Sequence, residues 1–269
     1  MNFRYLSALC LLWASTWTLV GCGGGGGTGN SSGGSATAAV QPGVYYAVIN
    51  NQDFWGVITP PSNGTTRWYG VHYATTNPDI YTGDVADVGT LHASVPALHY
   101  ENTSNTFSNG RATLTSSGAG QLSGTLSLVS NSMLQDLVFN ASTPSGFTFS
   151  QAALPSDLTG RWTGQLSFGT GSSVNFEINV ASNGAVTPRA GGEEFAHCKW
   201  TAFTATPDAA VNVFAVNLQM AASTGCDTNL NQKSLTGVAF VSPLAGNLHR
   251  LIWVATTTDG HAISFKADR

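Results

Sequence analysis

Charge is what this chain has least of. Lys, Arg, Asp and Glu make up 9% of its 269 residues, against about 25% in an average soluble protein. Its polar surface must therefore be built from Ser, Thr, Asn and Gln. The ten Lys and Arg residues are scattered, with no basic run, so the electrostatic footprint of a phosphate-backbone binder is missing and nucleic acid is excluded as a partner. No acid precedes Asp53. Helical periodicity is absent from the body of the chain. The folded part also lacks GxSxG, HExxH, HxH and CxxC, a P-loop, and a GxGxxG between strand and helix. The glycine run after Cys22 has no strand before it and no helix after it. Motifs therefore assign no catalytic residue, no metal ligand and no cofactor.

What the sequence does have begins at its amino terminus. A charge at Arg4 is followed by an apolar stretch from Tyr5 to Val20 and then by small residues, the order of a secretory signal peptide. The stretch is shorter than the roughly 20 residues of a spanning helix and is interrupted by Ser7, Ser15, Thr16 and Thr18. It ends in Leu19-Val20-Gly21-Cys22, which resembles the lipobox of bacterial lipoprotein precursors. That resemblance implies removal of residues 1–21, a diacylglycerol on the Cys22 thiol, and acylation of the new amino terminus, palmitate being the usual chain. One acyl chain binds a membrane only marginally, at about 10⁴ M⁻¹, whereas several hold a protein stably. Residue 23 is glycine and not aspartate, which by the same resemblance places the lipoprotein in the outer membrane of the cell envelope. Whether it faces the periplasm or the outside is left open.

Loss of residues 1–21 removes Arg4 and no acid, leaving nine Lys and Arg against 14 Asp and Glu, a net charge of −5. Residues 22–41 read CGGGGGTGNSSGGSATAAVQ, uncharged and without apolar periodicity. This is a flexible tether, and twenty such residues span about 25 Å root-mean-square. Of the four cysteines, Cys10 leaves with the signal and Cys22 takes the lipid. An exported compartment permits disulfides, so Cys198 and Cys226 are expected to pair, closing a loop of about 29 residues at about 3–4 kcal/mol.

From Pro42 onward, short β-type segments alternate with turn signals. They are Val44–Ile49, Phe54–Ile58, Thr66–Tyr73, Ala112–Thr115, Leu122–Leu128, Leu137–Asn140 and Phe147–Phe149, then Gly160–Phe168, Ser173–Val180, His197–Ala205, Val211–Met220, Leu235–Val241, His249–Ala255 and His261–Lys266. The two halves repeat. Gly43-Val44-Tyr45 answers Gly160-Arg161-Trp162, and Ser62-Asn63-Gly64 answers Ser182-Asn183-Gly184 at hairpin turns. Leu122-Ser123-Gly124 answers Leu235-Thr236-Gly237, and Leu137–Ala141 with Gly146–Phe149 answers Leu251–Ala255 with Gly260–Ile263. The expected fold is all-β: two tandem, internally repeated small antiparallel β-barrels or sandwiches, residues 42–153 and 157–269, joined near Leu154-Pro155-Ser156. Gly160-x-Trp162 resembles the first strand of lipocalin-like barrels, where the Trp plugs the closed end.

Candidate site residues are few. Gly191-Gly192-Glu193-Glu194 is the lone acidic doublet, and adjacent side chains on an extended segment point to opposite sides, so it reads as a solvated loop. Of His72, His92, His99, His197, His249 and His261, the pair His92 and His99 lies near Asp84 and Asp87 in the least regular stretch and is the best candidate for metal or acid/base chemistry. Asp259-Gly260-His261 has the composition of a turn. Aromatics are plentiful around Phe54-Trp55, Trp68-Tyr69, Tyr73 and Tyr81. Trp55, Trp68, Tyr69 and Tyr73 are candidate contacts to a partner or ligand, set against simple packing on two faces of a barrel or across a domain interface. The functional expectation is a membrane-anchored binding or interaction protein, with a protein, a glycan or a small apolar ligand as partner. The competing expectations are an envelope hydrolase with an unrecognised site and a structural component of the envelope.

Overall fold

Two-residue alternation is clearest in Phe214–Met220, where Phe214, Val216, Leu218 and Met220 are buried while Ala215 and Asn217 face water. Strands, some alternating and some buried on both faces, make up most of the described residues. The computed structural model describes residues 40–62, 65–73, 78–85, 92–101, 106–118, 120–130, 133–168, 172–189, 198–224 and 226–269. Eight strands among them come first: β1 (Gly43–Ile49), β2 (Gln52–Ile58), β3 (Thr66–His72), β4 (Asp79–Val85), β5 (His92–Glu101), β6 (Thr106–Gly118), β7 (Gln121–Ser130) and β8 (Met133–Ser142). Each pairs antiparallel with its neighbour in sequence, and β8 returns to β1 through the Tyr46–Ser142 pair, closing a barrel.

After the single turn α1 (Pro155–Leu158) the pattern repeats with β9 (Gly160–Phe168), β10 (Ser172–Val180), β11 (Val186–Pro188), β12 (Trp200–Pro207), β13 (Phe214–Met220), β14 (Ser234–Pro243), β15 (His249–Thr256) and β16 (Ala262–Asp268). Here the last strand pairs back on the first from Ile263–Phe168 to Asp268–Thr163. The ring is nearly closed between β11 and β12 by one bridge, Ala185–Thr204, with Ala205 N–H donating to the Gly184 carbonyl at 2.8 Å. Eight strands enclose a space just wide enough for side chains. Trp162, Phe176, Phe203, Trp253 and Phe265 lie in the core of the second barrel, and Tyr45, Phe54, Trp68, Tyr81 and Phe139 in that of the first.

Both barrels start with the same device. In the first, Tyr45 is buried and its hydroxyl donates to the Gln41 carbonyl, four residues back, at 2.8 Å; burial pushes its phenol up to about 12. In the second, Trp162 Nε1 donates to the Leu158 carbonyl, also four residues back, at 2.7 Å. Each aromatic follows a glycine by two residues. Gly160 sits at φ +119°, and a Cβ there would stand 2.9 Å from Arg269 Nη1. That guanidinium lies 4.0 Å from the Trp162 ring and donates to the Thr159 and Asp157 carbonyls at 2.7 Å each. Arg269 thus clamps α1 and Trp162 together. A Cys198–Cys226 disulfide is buried in the same core, its Cα atoms 4.6 Å apart across a sequence separation of 28.

Several segments differ from the sequence reading. β4 and β5 are strands although Asp79, Gly83 and Asp84 in one and Pro96 in the other are weak strand formers. The β4–β5 ladder runs only from Ile80–Tyr100 to Thr82–Leu98 and stops before Pro96, which has no N–H to give it. Phe147–Phe149 is not a strand; Phe147 packs instead into the apolar layer between the barrels. The repeat also divides. The Gly-x-aromatic openings and the Ser-Asn-Gly segments occupy the same places in both barrels, Asn63 and Gly64 themselves lying outside the described residues. Leu122-Ser123-Gly124, by contrast, belongs to the seventh strand of its barrel and Leu235-Thr236-Gly237 to the sixth. The later matches share local hairpin chemistry, displaced by one strand.

The barrels touch through their outer faces. Phe54–Ile58, Val238–Val241 and Leu251–Ala255 are buried without alternation, because one face fills a barrel and the other meets its neighbour. Val44, Trp55, Val57, Tyr69, Val71 and Ile80 from β1–β4 form one apolar layer with Val238, Phe240, Ile252, Val254 and Ala262 from β14–β16. The Trp55 and Phe240 ring centroids are 5.4 Å apart. Beside this layer Asp53 accepts from the Tyr46 hydroxyl at 2.9 Å and from Arg250 Nη1 at 2.8 Å, with Lys266 Nζ at 3.5 Å. Arg250 turns its other donors to Asp268, 2.7 Å each. All but the exposed Asp268 are half-buried, and their charges balance within the cluster.

Two stability measurements follow from this geometry. Arg269→Ala removes a cation–π contact and two charged hydrogen bonds, and should cost about 2 kcal/mol in denaturant unfolding; an unchanged midpoint would leave Trp162 as a plug that needs no clamp. A double-mutant cycle on Asp53→Ala and Arg250→Ala should give a coupling of about 1–2 kcal/mol. Additive losses would show that the ion pair does not join the barrels.

Candidate functional site

Where the apolar layer between the barrels ends, a groove of about 590 Å³ opens. One wall is the β2–β3 connection. Its ends are fixed because Thr59 N–H donates to the Arg67 carbonyl at 2.9 Å, and the Thr59 hydroxyl accepts from Arg67 N–H at 3.1 Å. Ser62 and Thr65 exchange backbone bonds of 2.8 and 3.0 Å. Pro60-Pro61, between them, present only carbonyls and apolar rings. The opposite wall is the outer face of β13 and β14, where Ala215, Asn217 and Thr236 are exposed.

Charge enters the groove as a pair and a turn. Arg67 Nε stands 3.5 Å from Asp84 Oδ1, and its guanidinium carbon is 5.8 Å from the centre of the Tyr69 ring. Burial raises the Tyr69 phenol, and the Arg67 charge partly offsets it. Asp208 accepts from Ala210 and Val211 N–H at 2.8 and 3.1 Å, so one carboxylate oxygen is spent on its own turn. The remaining groups are hydroxyls, an amide and small apolar surfaces. This set is suited to hydrogen bonding and shape recognition. A second recess of about 400 Å³ lies by the segment joining the barrels, between Phe147, Asn212, His249 and Arg269.

The aromatic candidates do not gather into one exposed patch. Trp68 points into the first barrel and is fully buried. Trp55 and Tyr69, at 3% and 4% exposure, face the second barrel. Tyr73 is half-buried at the edge of that layer, with Lys266 Nζ 4.3 Å from its ring centre. Of the four, Tyr69 alone lines the groove. The groove residues themselves, Pro60, Asn217 and Thr236, gave no signal in sequence, because they converge only once the barrels are packed.

The remaining candidates are dispersed. Cys22, Asp87, Glu193, Glu194 and His197 lie outside the described residues, as do the side chains of His92 and His99. Asp84 is engaged with Arg67. Asp259 and His261 flank the β15–β16 turn, where Thr257 N–H donates to the His261 carbonyl at 2.8 Å. His72, which the sequence did not single out, is buried on the inner side of β3. Its Nδ1 lies 4.0 Å from Asp79 Oδ2, and burial lowers its basicity while Asp79 and the Ile49 carbonyl partly restore it. Among the described residues no three His, Cys, Asp or Glu side chains stand together as a preformed metal cluster, and no helix is long and apolar enough to cross a membrane.

Comparison with known proteins adds no relative to this geometry: no family model matches the chain, and neither a curated protein nor a solved structure is significantly similar to it.

Proposed function

We propose that this chain is a lipid-anchored protein of the bacterial outer membrane that binds a protein or glycan partner in the groove between its two barrels. The observation that carries the reading is the contrast between inside and outside. The second barrel's interior is occupied by its own aromatic and aliphatic side chains, which speaks against carriage of an apolar ligand there. The groove offers an open surface of mixed polar and apolar lining, with the ends of its β2–β3 wall tied by backbone hydrogen bonds. Its functional groups are uncharged apart from Arg67, Asp84 and Asp208, in keeping with a chain that is 9% charged overall. The lipobox at Leu19–Cys22 and the uncharged tether after it support the anchor. The Gly160-x-Trp162 opening, with Trp162 buried at the start of the second barrel, is in keeping with a lipocalin-like architecture without naming a ligand.

The anchor and the groove are tested separately in the same cells. Cys22→Ser should abolish incorporation of labelled palmitate and move the protein from the membrane to the soluble fraction; unchanged membrane association would refute lipidation. A photo-crosslinking residue at Asn217 or Thr236 should trap a discrete partner on irradiation, whereas one at Asn175, exposed on β10, should not. Equal trapping at all three positions, or at Asn175 alone, would remove the groove from the account.

A further inference from the structure

The connection between β13 and β14 carries a row of oxygen-bearing side chains that groove binding leaves unused. Asp227, Asn229 and Asn231 stand at alternate positions, the spacing of the first three side-chain ligands in the EF-hand calcium loop. Such spacing alone is common. What distinguishes this loop is how firmly it is held and what it leaves unpaired. Leu230, 1% exposed, and Cys226, bridged to Cys198, pin it into the core of the second barrel. Leu230 and Asn231 N–H donate to the Asp227 carbonyl at 2.9 and 2.8 Å, and Asn229 N–H donates to Asp227 Oδ1 at 2.9 Å. Ser223 N–H donates to Asn231 Oδ1 at 3.0 Å, which draws the start of the connection against its end. Gln232, sixth when Asp227 is counted as first, takes φ +62° where the EF-hand loop has its invariant glycine. Two oxygens of this loop are buried and have no hydrogen-bond partner, Asp227 Oδ2 and Ser223 Oγ. A carboxylate oxygen withdrawn from water without a donor is costly, and a cation satisfies it while recruiting the neutral oxygens beside it.

We propose that this loop binds one calcium ion through Asp227, with the amide oxygens of Asn229 and Asn231 and the hydroxyl of Ser223 completing the protein's share of the ligands. An all-oxygen set suits a hard cation, and its irregular make-up favours Ca(II) over Mg(II), which demands an octahedron and gives up water reluctantly. Asn231 Oδ1 keeps a second lone pair beside the one that meets Ser223 N–H. Lys233, the base nearest in sequence, faces Asp259 with its Nζ at 3.4 Å. Burial lowers the basicity of His261, which lies in the field of Asp259 and Asp227. The bidentate Glu at the twelfth position of the EF-hand loop is replaced here by Val238, so the expected affinity is that of extracellular calcium modules, about 10⁻⁴–10⁻³ M. None of the four ligands lines the groove, and the inference is independent of partner binding there.

The test uses the full-length lipidated protein in detergent, stripped with EGTA and titrated calorimetrically with CaCl₂, with thermal unfolding followed in parallel. One equivalent should bind saturably, and unfolding should shift upward as calcium is added. Asp227→Asn, which retains a cap for Asn229 N–H, should weaken binding at least about tenfold through loss of the charge. Asn229→Asp, which adds a charge at a ligand position, should tighten it. Asp208→Asn, in a turn of the same barrel whose carboxylate likewise accepts backbone N–H groups, should bind as the parent does. Absence of saturable binding up to about 10 mM calcium, well above the range of such modules, would overturn the site and leave the two oxygens to a bridging water. Binding unchanged in both Asp227→Asn and Asn229→Asp would overturn it equally. Should Asp227→Asn fail to fold, as circular dichroism would reveal, Asn229→Asp decides, and affinity no tighter than the parent's would overturn the site.

Discussion

The apolar layer between the two barrels is the constraint from which the rest of the body follows. A barrel closes its sheet on itself and leaves every outer side chain facing water. In β2, β3, β14 and β15 those outer side chains are Trp55, Val57, Tyr69, Val71, Val238, Phe240, Ile252 and Val254. A continuous apolar face of that kind has to be covered, at about 25 cal/mol for each Å² removed from water. The chain covers it with its own second half. Phe147 from the joining segment and the Asp53–Arg250–Asp268 cluster then border the layer. The groove is where the covering stops, with β13 and β14 on one side and the β2–β3 connection on the other.

The two barrels solve one problem in the same way and another differently. Each fills its first-strand end with an aromatic ring tied to a carbonyl four residues upstream, Tyr45 to Gln41 and Trp162 to Leu158. The second adds Arg269 as a clamp, and its core is lined by apolar side chains and the disulfide. The first keeps glycines in its wall at Gly70 and Gly124, where a Cβ would press into the rings of Trp68 and Phe139. Large rings are accommodated by removing side chains beside them. The inner side of this barrel also holds His72 and Asp79. Equivalent first strands therefore lead to interiors of different chemistry.

How much of this was legible in the sequence depends on what each residue answers to. Strands whose alternation reports one buried face, such as Gly160–Phe168 and Phe214–Met220, could be read directly, as could the Cys198–Cys226 bridge. β4 and β5 could not, because their pairing partners outweigh the poor strand propensity of Asp79, Asp84 and Pro96. Phe147-Thr148-Phe149 misled for the opposite reason: its alternation serves the layer between barrels and not a sheet. The uninterrupted runs Phe54–Ile58, Val238–Val241 and Leu251–Ala255 did carry the signal of strands buried on both faces. That signal also explains Trp55 and Tyr69, whose bulk marks the contact between barrels. The groove had no comparable signature, since Thr59, Pro61, Asn217 and Thr236 acquire a common purpose only through the packing of distant segments.

Rigidity and scarcity of charge bear on what such a groove can recognise. Its walls are held by backbone bonds at Thr59, Ser62 and Thr65 and by continuous sheet at β13 and β14, so little ordering entropy is lost when a partner docks. Its single base already faces Asp84, and long-range steering by such a surface is weak. Specificity then rests on matching hydroxyl and amide geometry, where a partner that leaves a buried polar group unpaired loses about 1–3 kcal/mol per group. On the proposed reading the tether supplies what the surface lacks. Confinement to the membrane raises the local concentration of binding sites, and an uncharged twenty-residue tether does so without adding electrostatic attraction to head groups that would compete with the groove for orientation of the body.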